Sequence, residues 1–164
     1  MQSLPILVLT TGGTIDKNYF DALSEYQIVD SGIPALLKEA RVALPFRVEE
    51  VCRKDSLELT EVDRADIARR VAAAPETRIV ITHGTDTMTD TAKALAGIAG
   101  KTIVLTGALS PARFAETDAP FNLGMAFAAA QVAPPGVYIA MSGQVFDGLR
   151  VRKDRAAGRF VGLG

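Results

Sequence analysis

The sequence predicts an α/β domain of three layers, a mostly parallel sheet between two sets of helices, and three observations predict it. Five short aliphatic or β-branched runs recur along the 164 residues, and four of them are almost continuously apolar, as strands covered on both faces are. Segments with helical spacing lie between the runs, so strand and helix alternate. A composition of 48% hydrophobic and 23% charged residues gives a chain of this length a sizeable core and excludes disorder. A Rossmann- or flavodoxin-like sheet in a single domain over residues 1–164 is therefore expected.

The first run, Ile6 to Leu9, ends at the polar Thr10, and the stretch from Thr11 to Ser31 has no strong period. An irregular connection of roughly 20 residues inside a compact domain points to a functional loop or lid. A helix follows with Ile33, Leu36, Leu37 and Ala40 on one face, Asp30 or Ser31 as N-cap and Pro34 in the first turn. After the run Arg47 to Val51, Thr60 and Asp63 form a capping box for a second amphipathic helix through Ile67 and Val71 to Ala74. The run Arg78 to Thr82 leads to a helix over Asp90 to Ile98, with Asp86 or Thr87 available to cap it. Thr102 to Leu105 is the fourth run. Beyond Asp118, Phe121, Leu123, Met125, Phe127 and the Ala128 to Ala130 run leave hardly any charged face, so this helix is expected in a subunit interface. Pro134-Pro135-Gly136 turns the chain into the fifth run, Val137 to Met141, and Val145 to Arg150 reads as a strand or hairpin around Gly148.

Charge and cysteine content narrow the function classes. Eighteen Lys and Arg against nineteen Asp and Glu leave a net charge of -1, with no basic footprint for nucleic acid or anionic lipid. Cys52 is the single cysteine, which excludes an internal disulfide and a cysteine-rich zinc site. No run approaches the roughly 20 apolar residues of a membrane span, and the N-terminus lacks a charged region ahead of an apolar one. A cytoplasmic protein without metal or cofactor, acting on a small molecule, is the expectation.

In open α/β sheets ligands collect beyond the carboxyl ends of the strands. Thr10-Thr11-Gly12-Gly13-Thr14-Ile15-Asp16 follows the first run; its glycines permit a sharp turn with exposed amides and project the Thr14 hydroxyl over the strand ends. A tight polar turn without chemistry fits the same residues, and the dinucleotide pattern G-x-G-x-x-G is absent. His83-Gly84-Thr85-Asp86-Thr87-Met88 follows the third run, where helix capping is the plain alternative, and His83, the only histidine, reads as structural. Gly100-Lys101-Thr102 is no phosphate loop, because Leu95 stands at the first glycine position and a strand follows. Asp147, Arg150 and Lys153 form either a solvated charge run or part of a site.

Taken in order, these segments closely resemble a known family. Thr11-Gly12-Gly13-Thr14-Ile15 and Ile81-Thr82-His83-Gly84-Thr85-Asp86-Thr87-Met88 resemble the two signatures of bacterial-type L-asparaginases and glutaminases. Asp55-Ser56, Asp118-Ala119-Pro120-Phe121-Asn122-Leu123, and Asp147-Gly148 followed five positions later by Lys153 extend the likeness over essentially the whole chain, which corresponds to the family's larger N-terminal domain. The resemblance implies a threonine-nucleophile amidohydrolase that splits L-asparagine into L-aspartate and ammonia through an acyl-enzyme. It implies Thr14 as nucleophile, Thr85 and Lys153 as the second catalytic group with Asp86 beside them, Asp86 on the substrate ammonium, and Ser56 with Asp55 on its carboxylate side. A lysine in a partly desolvated pocket can take a proton, and Thr85 can relay it. Amides around Gly13 and from Gly84 to Asp86 are candidate oxyanion donors, each worth about 3 kcal/mol in other hydrolases. A tyrosine on the Thr11 to Ser31 segment would activate Thr14; Tyr19 is preferred over Tyr26, being nearer in sequence.

Two departures and one missing part accompany the likeness. Leu57 follows Ser56 where many relatives carry a polar residue, and Ala119 replaces a common glycine. Full-length relatives have a second domain that reaches a neighbouring subunit's site, which the present 164 residues do not include, so a second copy of this domain is expected to close the site as a homo-oligomer. A non-catalytic amino-acid-binding module, a glutaminase or an amidotransferase component are the alternative functions.

Overall fold

The computed structural model describes residues 4–20 and 25–164. Its centre is a six-stranded sheet built from β1 (Ile6–Gly12), β4 (Phe46–Lys54), β5 (Arg78–Thr82), β6 (Thr102–Thr106), β7 (Gly136–Met141) and β8 (Gln144–Asp147). The spatial order is β4-β1-β5-β6-β7-β8. All pairs are parallel except β7 with β8, a tight hairpin at one edge. Counting the parallel strands alone gives the 2-1-3-4-5 order of flavodoxin-like sheets, whose switch point lies beside the first strand. The five expected runs are the five parallel strands.

Alternation along the strands sends side chains to two separate cores. Leu7, Leu9, Ile79, Ile81, Ile103, Leu105 and Ile139 pack under α2 (Glu61–Ala73) and α3 (Met88–Leu95), against Ile67, Val71, Ala92 and Leu95. Ile6, Val8, Val80, Val104 and Ala140 face α1 (Ile33–Glu39) and α4 (Ala119–Val132), against Ile33, Leu37, Leu123, Ala126 and Ala130. Each fully buried Ile, Leu or Val in these layers contributes roughly 1.5–3 kcal/mol. The exposed edge β4 is charged instead: Arg47 grips Glu76 through Nε and Nη2, at 2.6 and 3.0 Å, which also keeps the edge from pairing with another chain.

Several local expectations hold and others are corrected. The Thr60–Asp63 capping box is present in both directions. α1 begins after Gly32, and of the two expected caps Ser31 engages it from one residue earlier: its hydroxyl accepts the Ile33 amide at 3.2 Å while it donates to Asp16 Oδ1 at 2.9 Å. α3 starts at Met88, two residues early, and Thr87 does not cap it with its side chain. α4 is as apolar as read, and within this chain that character serves β5, β6 and β7, leaving Phe121 (64% exposed) at its first turn.

The largest correction concerns Thr11 to Ser31. In place of an irregular loop stand a 3-10 turn at Thr14–Asp16 and an antiparallel pair, β2 (Lys17–Phe20) and β3 (Glu25–Ile28). Tyr19 lies directly opposite Tyr26, with ring centroids 5.1 Å apart, a cross-strand aromatic pair that stabilises a ribbon with little apolar sequence around it. A second small pair, β9 (Val151–Asp154) with β10 (Arg159–Gly162), returns to the main core through the buried Val151 and Phe160.

Candidate active site

Three backbone segments meet at the carboxyl ends of β1, β4 and β5 at distances only glycine permits. Gly12 and Gly13 have φ of 101° and 83°, and a Cβ on Gly13 would lie 2.5 Å from Gly84 N. A Cβ on Gly84 would lie 2.6 Å from Ser56 Cβ. The turn after β1, the loop after β5 and the short 3-10 turn Ser56–Glu58 are thus stacked in that order. Hydrogen bonds lock the stack: the Gly13 amide donates to Lys54 O at 2.9 Å, the Thr11 hydroxyl to Thr82 O at 2.8 Å, and the Thr87 hydroxyl to Ser56 O at 2.7 Å. The Gly13 N–H is therefore engaged, and the Thr14 amide and those from Gly84 to Asp86 stay as the candidate oxyanion donors.

Thr85 and Asp86 come next after Gly84, and Lys153 reaches them from β9. Its Nζ donates to Thr85 Oγ1 and to Asp86 Oδ1, each at 2.8 Å. The separation in sequence is 68 and 67 residues, and only the anchoring of β9 and β10 by Val151 and Phe160 carries the lysine there. Arg155 Nη2 lies 3.8 Å from the same Asp86 oxygen. The Lys153 ammonium is thus shared between a hydroxyl and a carboxylate, and it ties the loop after β5 to β9.

Thr14 opens the 3-10 turn on the other side of Gly13 and lines a cavity of about 340 Å³ with Lys17, Tyr26, Leu109, Ser110, Pro111 and Phe114. Tyr26, rather than the preferred Tyr19, shares that cavity with Thr14, because the hairpin register sets the two rings side by side and leaves Tyr26 next to Phe114, at 6.0 Å between centroids. The far wall is held by Asp118, whose carboxylate accepts the amides of Leu109 and Ser110 at 2.9–3.0 Å and the Asn122 side-chain amide at 2.9 Å. In the sequence Asp118 stands in a motif without a role of its own; Lys17 carries no signal there beyond standing three residues after Thr14.

Asp55 and Ser56 complete the stack. Asp55 Oδ1 accepts the Leu57 amide at 3.1 Å and Oδ2 accepts Lys17 Nζ at 3.0 Å. Burial alone would raise its carboxyl, but the Leu57 N–H, the Lys17 ammonium and the more distant charge of Lys153 together hold it below the ordinary range. Ser56 is buried, while Leu57 is 67% exposed.

His83 is structural by geometry. It is fully buried; its Nδ1 donates to Gly84 O at 2.6 Å and its Nε2 accepts the Thr91 hydroxyl at 2.7 Å, the tautomer that the carbonyl requires. Burial pushes its pKa down to about 4. Asp16 is also buried, which raises its carboxyl to about 6 against the hydrogen bonds from Ser31 and the Gly32 amide. Among the described residues no group of three His, Cys, Asp or Glu side chains is placed to hold a metal ion, and no helix is long and apolar enough to cross a membrane.

Comparison with known proteins identifies relatives in both sequence and fold. The family profile described as "Asparaginase, N-terminal" matches residues 5–160. The L-asparaginase of Thermococcus kodakarensis is 33% identical over 165 residues, covering 94% of this chain and 49% of that protein. A component of the glutamyl-tRNA(Gln) amidotransferase of Pyrobaculum aerophilum is 36% identical over 142 residues, covering 79% of this chain and 32% of that protein. The crystal structure of L-asparaginase I from Vibrio cholerae superposes with a TM-score of 0.84 at 29% identity, covering 98% of this chain and 51% of that one. The chain spans about half the length, or less, of the relatives it matches.

Proposed function

This chain belongs to the asparaginase family, and from that premise we propose that it hydrolyses the side-chain amide of L-asparagine to L-aspartate and ammonia through a threonine ester. The observation that carries the reading is the Lys153–Thr85–Asp86 contact, two 2.8 Å hydrogen bonds bridging 67 and 68 residues beside the glycine stack that presents Thr14. A solvated charge run gives no reason for such a closed geometry.

In the proposed reaction Tyr26 takes the Thr14 proton as Thr14 Oγ attacks the amide carbon. The oxyanion forms against the amides that follow Gly84. Collapse breaks the carbon–nitrogen bond, and Tyr26 passes the proton it received from Thr14 to the leaving nitrogen, which departs as ammonia. Water then attacks the ester; Thr85 takes the water proton as it passes its own hydrogen on to Lys153, and aspartate leaves as Thr14 regains its hydrogen. Asp86 pairs with the substrate ammonium, and Ser56 with Asp55 frames its carboxylate end. No cofactor or metal enters any of these steps.

The identity to an amidotransferase component favours a second reading, glutamine-directed amide hydrolysis within a larger assembly. The acidic balance gives no direct tRNA surface, so a partner would supply it. For the asparaginase reading, a second copy closes the open cavity, using the exposed first turn of α4 around Phe121. A reducing, cytoplasmic setting suits the single Cys52 thiol, whose pKa burial pushes up to about 11. The test is ammonia release from L-asparagine and from L-glutamine by wild type and Thr14→Ala. Asparagine turnover lost in the variant supports the proposal; glutamine as the faster substrate favours the second reading, and turnover unchanged in Thr14→Ala refutes the nucleophile.

A further inference from the structure

A free amino-acid amide brings a carboxylate into the site, and a buried neutral hydroxyl such as Ser56 offers it at most one uncharged hydrogen bond. An ammonium or guanidinium on the cavity wall would hold it far better. The cations near the site are mostly engaged: Lys153 with Thr85 and Asp86, Arg53 with Glu50 and Asp30, and Arg113 with the carbonyls of Asp16 and Asp30. Arg155 stands outside, with its side chain 70% exposed. Lys17 differs from all of them. It lines the cavity of Thr14, and it lines an adjoining polar cavity of about 310 Å³ with Asp55, so it stands where the two spaces meet.

Its backbone also ties it to the nucleophile, since the Lys17 amide donates to Thr14 O and closes the 3-10 turn. The ammonium has three donors, of which one goes to Asp55 Oδ2 at 3.0 Å. That single bond aims the long side chain along the wall and leaves two hydrogens for a ligand. We infer that Lys17 is a specificity-determining residue that holds the carboxylate of the amino-acid amide, with Asp55 as the group that aims it. The inference rests on the amidohydrolase reading above and adds to it the reason a free amino acid is selected over an uncharged amide. Leu57, apolar and exposed, offers no competing polar side chain.

The test compares L-asparagine with L-asparaginamide, which lacks the carboxylate, for wild type, Lys17→Met and Lys17→Arg. Lys17→Met should raise KM for asparagine about tenfold more than it raises KM for asparaginamide, while any change in kcat from the loosened ribbon is shared by both amides. Lys17→Arg should restore the asparagine KM, because it restores the charge. An equal rise for both amides, or no rise for asparagine, overturns the inference. If the wild type hydrolyses neither amide, the amidohydrolase reading falls by itself. Calorimetric titration with L-aspartate then decides: binding weakened in Lys17→Met and restored in Lys17→Arg keeps the carboxylate site, and equal binding in all three removes it.

Discussion

Thr85 and Asp86 leave a strand, β5, whose last four residues are buried; Gly84 just before them is wedged between Gly13 and Ser56, and Lys153 bonds them both. Tyr19 and Tyr26 instead stand on a ribbon of two four-residue strands with exposed or half-buried side chains, held to the body by the Val29 amide on Asp16 O and by the Lys17–Asp55 pair. The first region is built as part of the core; the second depends on a few polar contacts and one aromatic pair. Local opening costs least where few apolar contacts are buried, so the two strands of the ribbon are expected to open at a lower cost than the loop after β5. In the proposed reaction nucleophile activation belongs to the ribbon and ester hydrolysis to the loop after β5.

The largest expected effect tests the rigid half. Lys153→Met should lower kcat on the order of a thousandfold and leave the unfolding free energy within about 1 kcal/mol, since Lys153 is not a core group. A loss of stability that matched the loss of rate would make its role structural. Acid should attack the same half. His83 is neutral in the fold with its pKa pushed down to about 4, so the stability it contributes is complete above the ordinary histidine range near 6.5 and is lost as pH falls through 4. A shift of that size corresponds to about 3 kcal/mol. Denaturant titrations from pH 7 to pH 4 should show the decline, and His83→Gln should flatten it.

Much of the rigid half is legible in the sequence, and the reason is physical. Ile79, Val80 and Ile81 are apolar on both faces, as only a covered parallel strand can be, and Gly84 marks a turn where a side chain would strike Ser56. The ribbon is not legible because Lys17-Asn18-Tyr19-Phe20 and Glu25-Tyr26-Gln27-Ile28 bury almost nothing, and their pairing registers only through Tyr19 opposite Tyr26. The Lys153 contact has no local signature at all. Spacing within one element cannot announce a bond across 68 residues, and only the family likeness singles the lysine out.

Two smaller effects sharpen the description of the ribbon. Tyr26→Phe should reduce kcat roughly thirtyfold, whereas Tyr19→Phe should stay within about threefold, measured as ammonia release under saturating substrate. Equal effects would erase the distinction that the cavity lining makes between them. Asp16, at the start of the ribbon, titrates in the opposite sense to His83: burial raises its carboxyl to about 6, so its favourable neutral form is complete below the ordinary carboxylate range and is lost as pH rises through 6. Asp16→Asn should therefore raise the unfolding free energy at pH 7.5 by about 1–2 kcal/mol and leave it unchanged at pH 3.5. A variant less stable than wild type at pH 7.5 would mean that the charged carboxylate is needed by Ser31 and Arg113.

The most direct measurement of the central claim is the mass of the peptide carrying Thr14 after mixing with L-asparagine and quenching in acid within the first turnovers. An increase by one aspartyl group on Thr14, absent from Thr14→Ala and slow to disappear in Lys153→Met, is the result this account predicts. Ammonia release with the Thr14 peptide unmodified, or with the aspartyl group on another side chain, would contradict it.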